Sequence, residues 1–69
     1  MTETITRPLS TEEVSEATGI PAGTLRYMRH CGTGPRSYRL GRSVRYDTSD
    51  VAAWLAAQKA ATARGGDAA

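Results

Sequence analysis

Two short helical segments, each ended by a glycine and separated by only three residues, constrain the fold of this chain more than any other feature. The first segment opens with Ser10–Glu13, a Ser-Thr-Glu-Glu capping box in which the first and fourth residues accept hydrogen bonds from each other's amides. The spacing predicts a helix to about Thr18 with Val14 and Ala17 turned inward. Gly19 supplies the left-handed residue at which such a helix ends.

A second helix is predicted directly after the turn Gly19-Ile20-Pro21. It runs from Ala22 to about Cys31 and stops at Gly32. Two short helices joined by a tight, glycine-containing turn form a helix-turn-helix.

The second helix has two different sides. Its inward side consists of Ala22, Leu25 and Met28. Its outward side consists of Gly23, Arg26, Tyr27 and His30, with Thr24 and Cys31 at one edge. Arg29 projects closer to the inward side, so it is not counted with the outward residues.

A β-hairpin is predicted between Tyr38 and Tyr46, and its loop length decides which side chains share a face. A three-residue loop, Gly41-Arg42-Ser43, would pair Leu40 with Val44, Arg39 with Arg45 and Tyr38 with Tyr46. That register separates the apolar residues from the arginines, whereas a two-residue Gly41-Arg42 turn mixes them. The three-residue loop is therefore preferred, although Ser43 is poorly suited to its left-handed position.

A third helix closes the predicted domain. Asp47 is placed at its N-cap, Asp50 lies in its first turn, and it extends to about Ala63. Apolar residues that flank a helix start often pack together, and here these pairs are Leu9 with Val14 and Tyr46 with Val51. The inward stripe of the third helix is Val51, Trp54 and Leu55. On this placement Trp54 and Tyr46 are core residues rather than a base-stacking platform.

The chain is expected to form one domain, mainly α with a small β-hairpin. Residues 1–8 are predicted to be a disordered lead-in, residues 9–63 the folded domain, and residues 64–69 a flexible tail. With 69 residues, the core should be thin.

Charge is strongly segregated along the sequence. Residues 17–46 contain no Asp or Glu, and we call this stretch the acid-free segment. Its basic side chains are Arg26, Arg29, Arg36, Arg39, Arg42 and Arg45, with His30. The net charge of +2 conceals a strongly positive surface. A solvated basic face is the plain interpretation, but a phosphate backbone is the partner that best explains such a face.

Several other functions are disfavoured. Cys31 is the only cysteine, so no disulfide framework or Cys-rich zinc site is expected, and a reducing cytoplasm is the natural compartment. No stretch is long and apolar enough for a signal peptide or a bilayer span. Arginine, tyrosine and histidine are residue types used by tyrosine recombinases, but Arg26, Tyr27, Arg29 and His30 point in different directions, so no catalytic site is expected. No cofactor, metal or small-molecule ligand is predicted.

The order helix, turn, helix, basic hairpin and helix resembles a winged helix-turn-helix domain of the MerR-like kind. The fragments that carry the resemblance are Leu9–Val14, Gly19-Ile20, Thr24–Tyr27, Tyr38–Arg42, Arg45-Tyr46, Asp50-Val51 and Trp54-Leu55. A chain that ends after one such domain is similar to phage or prophage excisionases, the recombination directionality factors. The MerR regulators themselves continue into a long dimerisation helix.

The resemblance implies roles for particular residues. The second helix would lie in a major groove through Thr24, Arg26 and Tyr27, with Gly23 and His30 beside them. The hairpin would be a wing whose Arg42 enters a minor groove, while Arg36, Arg39 and Arg45 contact the backbone or protect the exposed strand edge. The family often caps this helix with Ser or Thr, which is lacking here. Gly23 either lets amides approach a phosphate or simply weakens the helix start.

Three functions remain open at this point. The first is an excisionase that binds direct repeats of attachment-site DNA head-to-tail, bends the DNA and directs an integrase toward excision. The second is a small phage or plasmid transcriptional regulator with the same DNA-binding face. The third is a protein-interaction module in which the last helix and the tail bind an integrase or a terminase.

Overall fold

Three helices and a two-stranded hairpin, in the order helix, turn, helix, hairpin and helix, form a winged helix-turn-helix, as predicted. A computed structural model describes residues 7–65. The elements are α1 (Thr11–Thr18), α2 (Ala22–Cys31), β1 (Tyr38–Leu40), β2 (Ser43–Arg45) and α3 (Thr48–Thr62). The two strands form an antiparallel hairpin, which is the wing. Most of the predicted lead-in and tail, residues 1–6 and 66–69, lies outside the described residues.

Helix α1 begins and ends where the sequence predicts. The Glu13 amide donates to Ser10 Oγ over 3.1 Å, and the Ser10 amide donates to Glu13 Oε1 over 2.9 Å, which completes the capping box. Gly19 ends the helix with a φ of 81°. Ala17 is exposed, so its inward placement was wrong; the residue buried beside Val14 is Thr11, one turn earlier on the same side.

Helix α2 also has its predicted bounds. Pro21 is the N-cap and provides no side-chain hydrogen bond, while Gly32 ends the helix with a φ of 74°. Leu25 is buried on the inward side. Arg29 is exposed, which corrects the expectation that it lies near the core.

The wing has a different register from the one predicted. Tyr38 pairs with Arg45, Arg39 with Val44 and Leu40 with Ser43, so the loop contains only Gly41 and Arg42. Gly41 has a φ of 64°, and no residue other than glycine has a positive φ among the described residues. A glycine with positive φ at the first loop position is the type II′ pattern, whose twist matches paired strands. The longer loop would have required the left-handed conformation at Ser43.

This register mixes apolar and basic side chains on both faces of the wing. Val44 packs against the core, and Arg39 shares its face. Leu40 lies on the opposite face, where half of its surface is exposed (50%), with Tyr38 and Arg45 on the same side. The predicted separation into an apolar face and an arginine face is therefore wrong.

Helix α3 has Asp47 at its N-cap, but the Asp47 side chain does not cap it. Asp47 Oδ1 instead accepts a hydrogen bond of 2.9 Å from the Tyr38 hydroxyl, which ties β1 to the start of the helix. Trp54 is half-buried, and its indole N–H donates to the Thr33 carbonyl over 3.3 Å. Leu55 is exposed, so only part of the predicted inward stripe is covered.

The core is small and joins the three helices and β2. It consists of Val14, Leu25, Tyr46 and Val51, with Leu9, Ile20 and Val44 packed against it. Leu9 and Tyr46 exchange backbone hydrogen bonds of 2.8 and 2.9 Å, so the chain before α1 pairs with the residue that follows β2. This core holds α2 and the wing on one framework.

Candidate nucleic-acid interface

The outward side of α2 presents every residue that the sequence assigned to it. Gly23, Thr24, Arg26, Tyr27 and His30 are all exposed. Tyr27 is 67% exposed, the largest value among the exposed large hydrophobic residues of the described chain. Because Leu25 is anchored in the core, the side of α2 opposite to Leu25 is turned toward solvent. These side chains can reach a partner without any rearrangement of the fold.

Arg26 is held by an acidic residue of α1. Its Nη2 atom lies 2.5 Å from Glu12 Oε2, and the two side chains are 51% and 69% exposed. The pair links the first turn of α1 to the outward side of α2. Sequence reasoning missed this contact because the partners are 14 residues apart and no local spacing rule joins them.

The start of α2 leaves backbone donors available. The first backbone bond runs from the Leu25 amide to the Pro21 carbonyl over 3.0 Å, so the three preceding amides have no partner within the helix. A Cβ atom added at Gly23 would meet nothing within 4 Å. Glycine is therefore not needed there for packing within the protein.

The wing presents arginines in several directions. Arg36, Arg39 and Arg42 are exposed, and Arg42 lies in the two-residue loop at the tip. Arg45 is half-buried and its Nη1 atom donates to the Val44 carbonyl over 3.0 Å. Since Arg39 and Arg45 lie on opposite faces, the wing arginines do not form a single flat surface. The tip is the part of the wing best placed to enter a groove.

The exposed surface near the end of α2 includes Arg29, which was predicted to lie closer to the core. Cys31, predicted at the edge of the outward side, is exposed as a free thiol. A ten-residue helix with a thin core covers only a narrow stripe, so side chains at the edge of that stripe stay in solvent. The basic surface therefore includes Arg29.

Two acidic side chains, Glu13 and Asp47, accept hydrogen bonds from neighbouring residues. Arg7 donates to both carboxylate oxygens of Glu13, at 3.2 and 2.6 Å, and the Ser10 amide donates to the same group. The Arg7 hydrogen bonds and that from Ser10 lower the pKa of Glu13 to about 2. The Tyr38 hydroxyl has a raised pKa because it donates to the Asp47 carboxylate.

The family is decided by a match over most of the chain. Residues 8–59 match the model of the helix-turn-helix domain family, whose members are DNA-binding domains. The chain belongs to the helix-turn-helix domain family. No curated protein and no solved structure matches it.

Other kinds of site are not formed by residues 7–65. This part of the domain contains no pocket and no cluster of His, Cys, Asp or Glu side chains that could hold a metal ion. None of its helices combines the length and apolarity needed to cross a bilayer. For a member of a DNA-binding family, the exposed side of α2 and the wing are the candidate functional surface of the described domain.

Proposed function

We propose that this protein is a sequence-specific, double-stranded DNA-binding architectural protein, an excisionase that bends attachment-site DNA and directs an integrase toward prophage excision. Membership of a DNA-binding family supports the DNA partner. The single observation that carries the proposal is the exposure of α2 and the wing tip within the acid-free segment. It would act in the cytoplasm of a bacterial host, without a catalytic site or cofactor of its own.

In this proposal two parts of the domain contact one duplex. Helix α2 lies in a major groove, where Thr24, Arg26 and Tyr27 reach base edges and phosphates, with Gly23 and His30 at the ends of the contact. Arg42 at the wing tip enters the adjacent minor groove, whose negative potential attracts arginine. Exposed Arg36 and Arg39 contact the backbone, and half-buried Arg45 contributes from the face of the wing opposite to Arg39.

Bending follows from engaging two grooves with one small domain. Deforming a duplex costs on the order of 1 to 6 kcal/mol, which extra contacts from the wing offset. A single domain of this size makes too few contacts for tight solitary binding, so copies bound head-to-tail on direct repeats would gain affinity cooperatively. The integrase would then recognise the bent assembly.

DNA binding is tested through its dependence on salt. Four to six phosphate contacts predict that log affinity falls with log salt concentration with a slope of about minus 4 to minus 5. Fluorescence anisotropy with a labelled duplex, between roughly 50 and 200 mM salt, measures this slope. An affinity that does not change with salt would contradict DNA binding and favour a protein-interaction module.

The excisionase role is tested separately with an integrase encoded near the gene. Adding the protein to recombination assays in vitro should raise the yield of excision and lower that of integration. An unchanged ratio, with DNA binding intact, would refute the excisionase role. The same DNA-binding face would then serve a transcriptional regulator, which a reporter driven by the neighbouring promoter would detect.

A further inference from the structure

We infer that Glu12 is a specificity-determining residue, which holds Arg26 for contact with base edges and lowers its attraction for phosphates. The inference rests on the proposed function, because it assumes that α2 contacts DNA. It concerns a residue outside the basic surface, on a helix that was not assigned to DNA. The observation behind it is the Glu12–Arg26 ion pair of 2.5 Å.

The first turn of α1 has two carboxylates with different tasks. Glu13 is engaged by the Ser10 amide and by Arg7, so it completes the helix start. Glu12 takes no part in the capping box and reaches across to Arg26 on α2. The Glu12 carboxylate can therefore influence the outward side of α2.

Stability does not account for this pair. Both side chains are more than half exposed, and exposed ion pairs contribute only about 0.2 to 1 kcal/mol. The contact does reduce the net positive charge around Arg26 and the conformational freedom of its side chain. A guanidinium held by a carboxylate loses less conformational entropy when it binds DNA, because part of that entropy is already lost.

The pair also changes which DNA groups suit Arg26. A guanidinium has five N–H donors, and Glu12 accepts one hydrogen bond, so others are left to reach the neutral O6 and N7 atoms of guanine. A phosphate would bring a second negative charge close to the Glu12 carboxylate. The resulting repulsion disfavours phosphate relative to guanine.

Arg26 is distinguished in this way from the other arginines of the acid-free segment. Within residues 7–65, no carboxylate lies within 4.0 Å of Arg29, Arg36, Arg39, Arg42 or Arg45. Those side chains keep their full attraction for phosphate. On this inference Arg26 is tuned for base contact, whereas the other arginines keep their full attraction for the backbone or, at Arg42, for the negative minor groove.

The test compares two variants that remove the same charge from α1. Glu12→Gln breaks the pair, whereas Glu16→Gln removes an exposed carboxylate that has no ion-pair partner among residues 7–65. Each variant is measured with a duplex selected by the wild-type protein from a random pool, and with an unselected duplex of equal length. Anisotropy titrations at several salt concentrations give affinity and slope.

Glu12→Gln should bind the unselected duplex about twofold to fivefold more tightly, and its salt slope should steepen by about 0.9 as Arg26 gains a phosphate. Its affinity for the selected duplex should change less, so the specificity ratio falls. Glu16→Gln should shift both duplexes alike. In an Arg26→Ala background, Glu12→Gln should no longer alter the ratio.

Equal behaviour of Glu12→Gln and Glu16→Gln would overturn the inference, because the effect would then be one of net charge. A change in the ratio that persists in the Arg26→Ala background would overturn it as well. Both results presuppose salt-dependent binding by the wild-type protein. If the wild-type protein lacks that binding, the proposed function itself is refuted. Failure of the proposed function is thus distinguishable from failure of the inference about Glu12.

Discussion

At the scale of single residues, two tyrosine hydroxyls have opposite surroundings. The Tyr46 ring fills the core, but its hydroxyl is buried without a hydrogen-bond partner among residues 7–65. Burying an unpaired hydroxyl costs about 1 to 3 kcal/mol, so Tyr46→Phe should raise the free energy of unfolding by about 1 kcal/mol in urea denaturation. Tyr38→Phe loses the hydrogen bond to Asp47 and should lower the free energy of unfolding. A decrease in both variants would contradict the first expectation.

Glu13 makes stability depend on pH in the acid range. Its pKa of about 2 lies below the ordinary value of 4.5, so the charged carboxylate stabilises the fold above about pH 4.5, and this contribution disappears as the pH falls toward 2. Glu13→Gln keeps an acceptor for the Ser10 amide but removes the charge. The midpoint of thermal unfolding of Glu13→Gln should lie below that of the wild type at pH 7, and the two midpoints should converge near pH 2. A gap that stays constant with pH would show that charge is not responsible.

At the scale of elements, the wing register can be tested by truncating one residue on each face. Val44 packs on the core, so Val44→Ala should lower the free energy of unfolding by about 1 kcal/mol. Leu40 is half exposed on the other face, and Leu40→Ala should change it by less than about 0.5 kcal/mol. Thermal or urea unfolding measures both. Equal losses would favour the three-residue loop, which puts both side chains on the core.

The helices could be predicted from sequence, because their signals are local. Gly19 and Gly32 end α1 and α2 as predicted, and a capping box starts α1. The register of the wing could not be predicted in this way, because separating the apolar from the basic side chains favours a three-residue loop. The demand of the loop for a residue with positive φ outweighs that separation. Gly41 meets that demand in a two-residue turn, and the outward position of Leu40 follows.

The candidate site could be predicted from the sequence only in part. Exposure of the outward side of α2 follows from helical periodicity, which the sequence contains. The Glu12–Arg26 pair depends instead on how α1 packs against α2, and no pattern within either helix encodes that packing. Contacts between elements, such as Tyr38 with Asp47, escape prediction for the same reason.

At the scale of the whole molecule, charge placement matters more than net charge. The chain carries a net charge of only +2, yet no acid lies anywhere between residues 17 and 46. The core residues Val14, Leu25, Tyr46 and Val51 connect the two parts of this basic surface, α2 and the wing. In the proposed complex, a duplex held by both would have to adapt to a spacing that the core sets, which is the physical basis of the proposed bending.

Arg42→Ala tests whether the wing takes part in that contact. The residue lies in the exposed tip loop, so its loss should leave the fold intact, weaken DNA binding by about 1 kcal/mol and reduce the salt slope by about 0.9. Preference for A·T-rich flanks should relax, since narrow minor grooves attract arginine most strongly. Lys59→Ala removes the same charge from α3 and should leave the flank preference unchanged. A wild-type footprint for Arg42→Ala would contradict the proposed position of the wing tip in a minor groove.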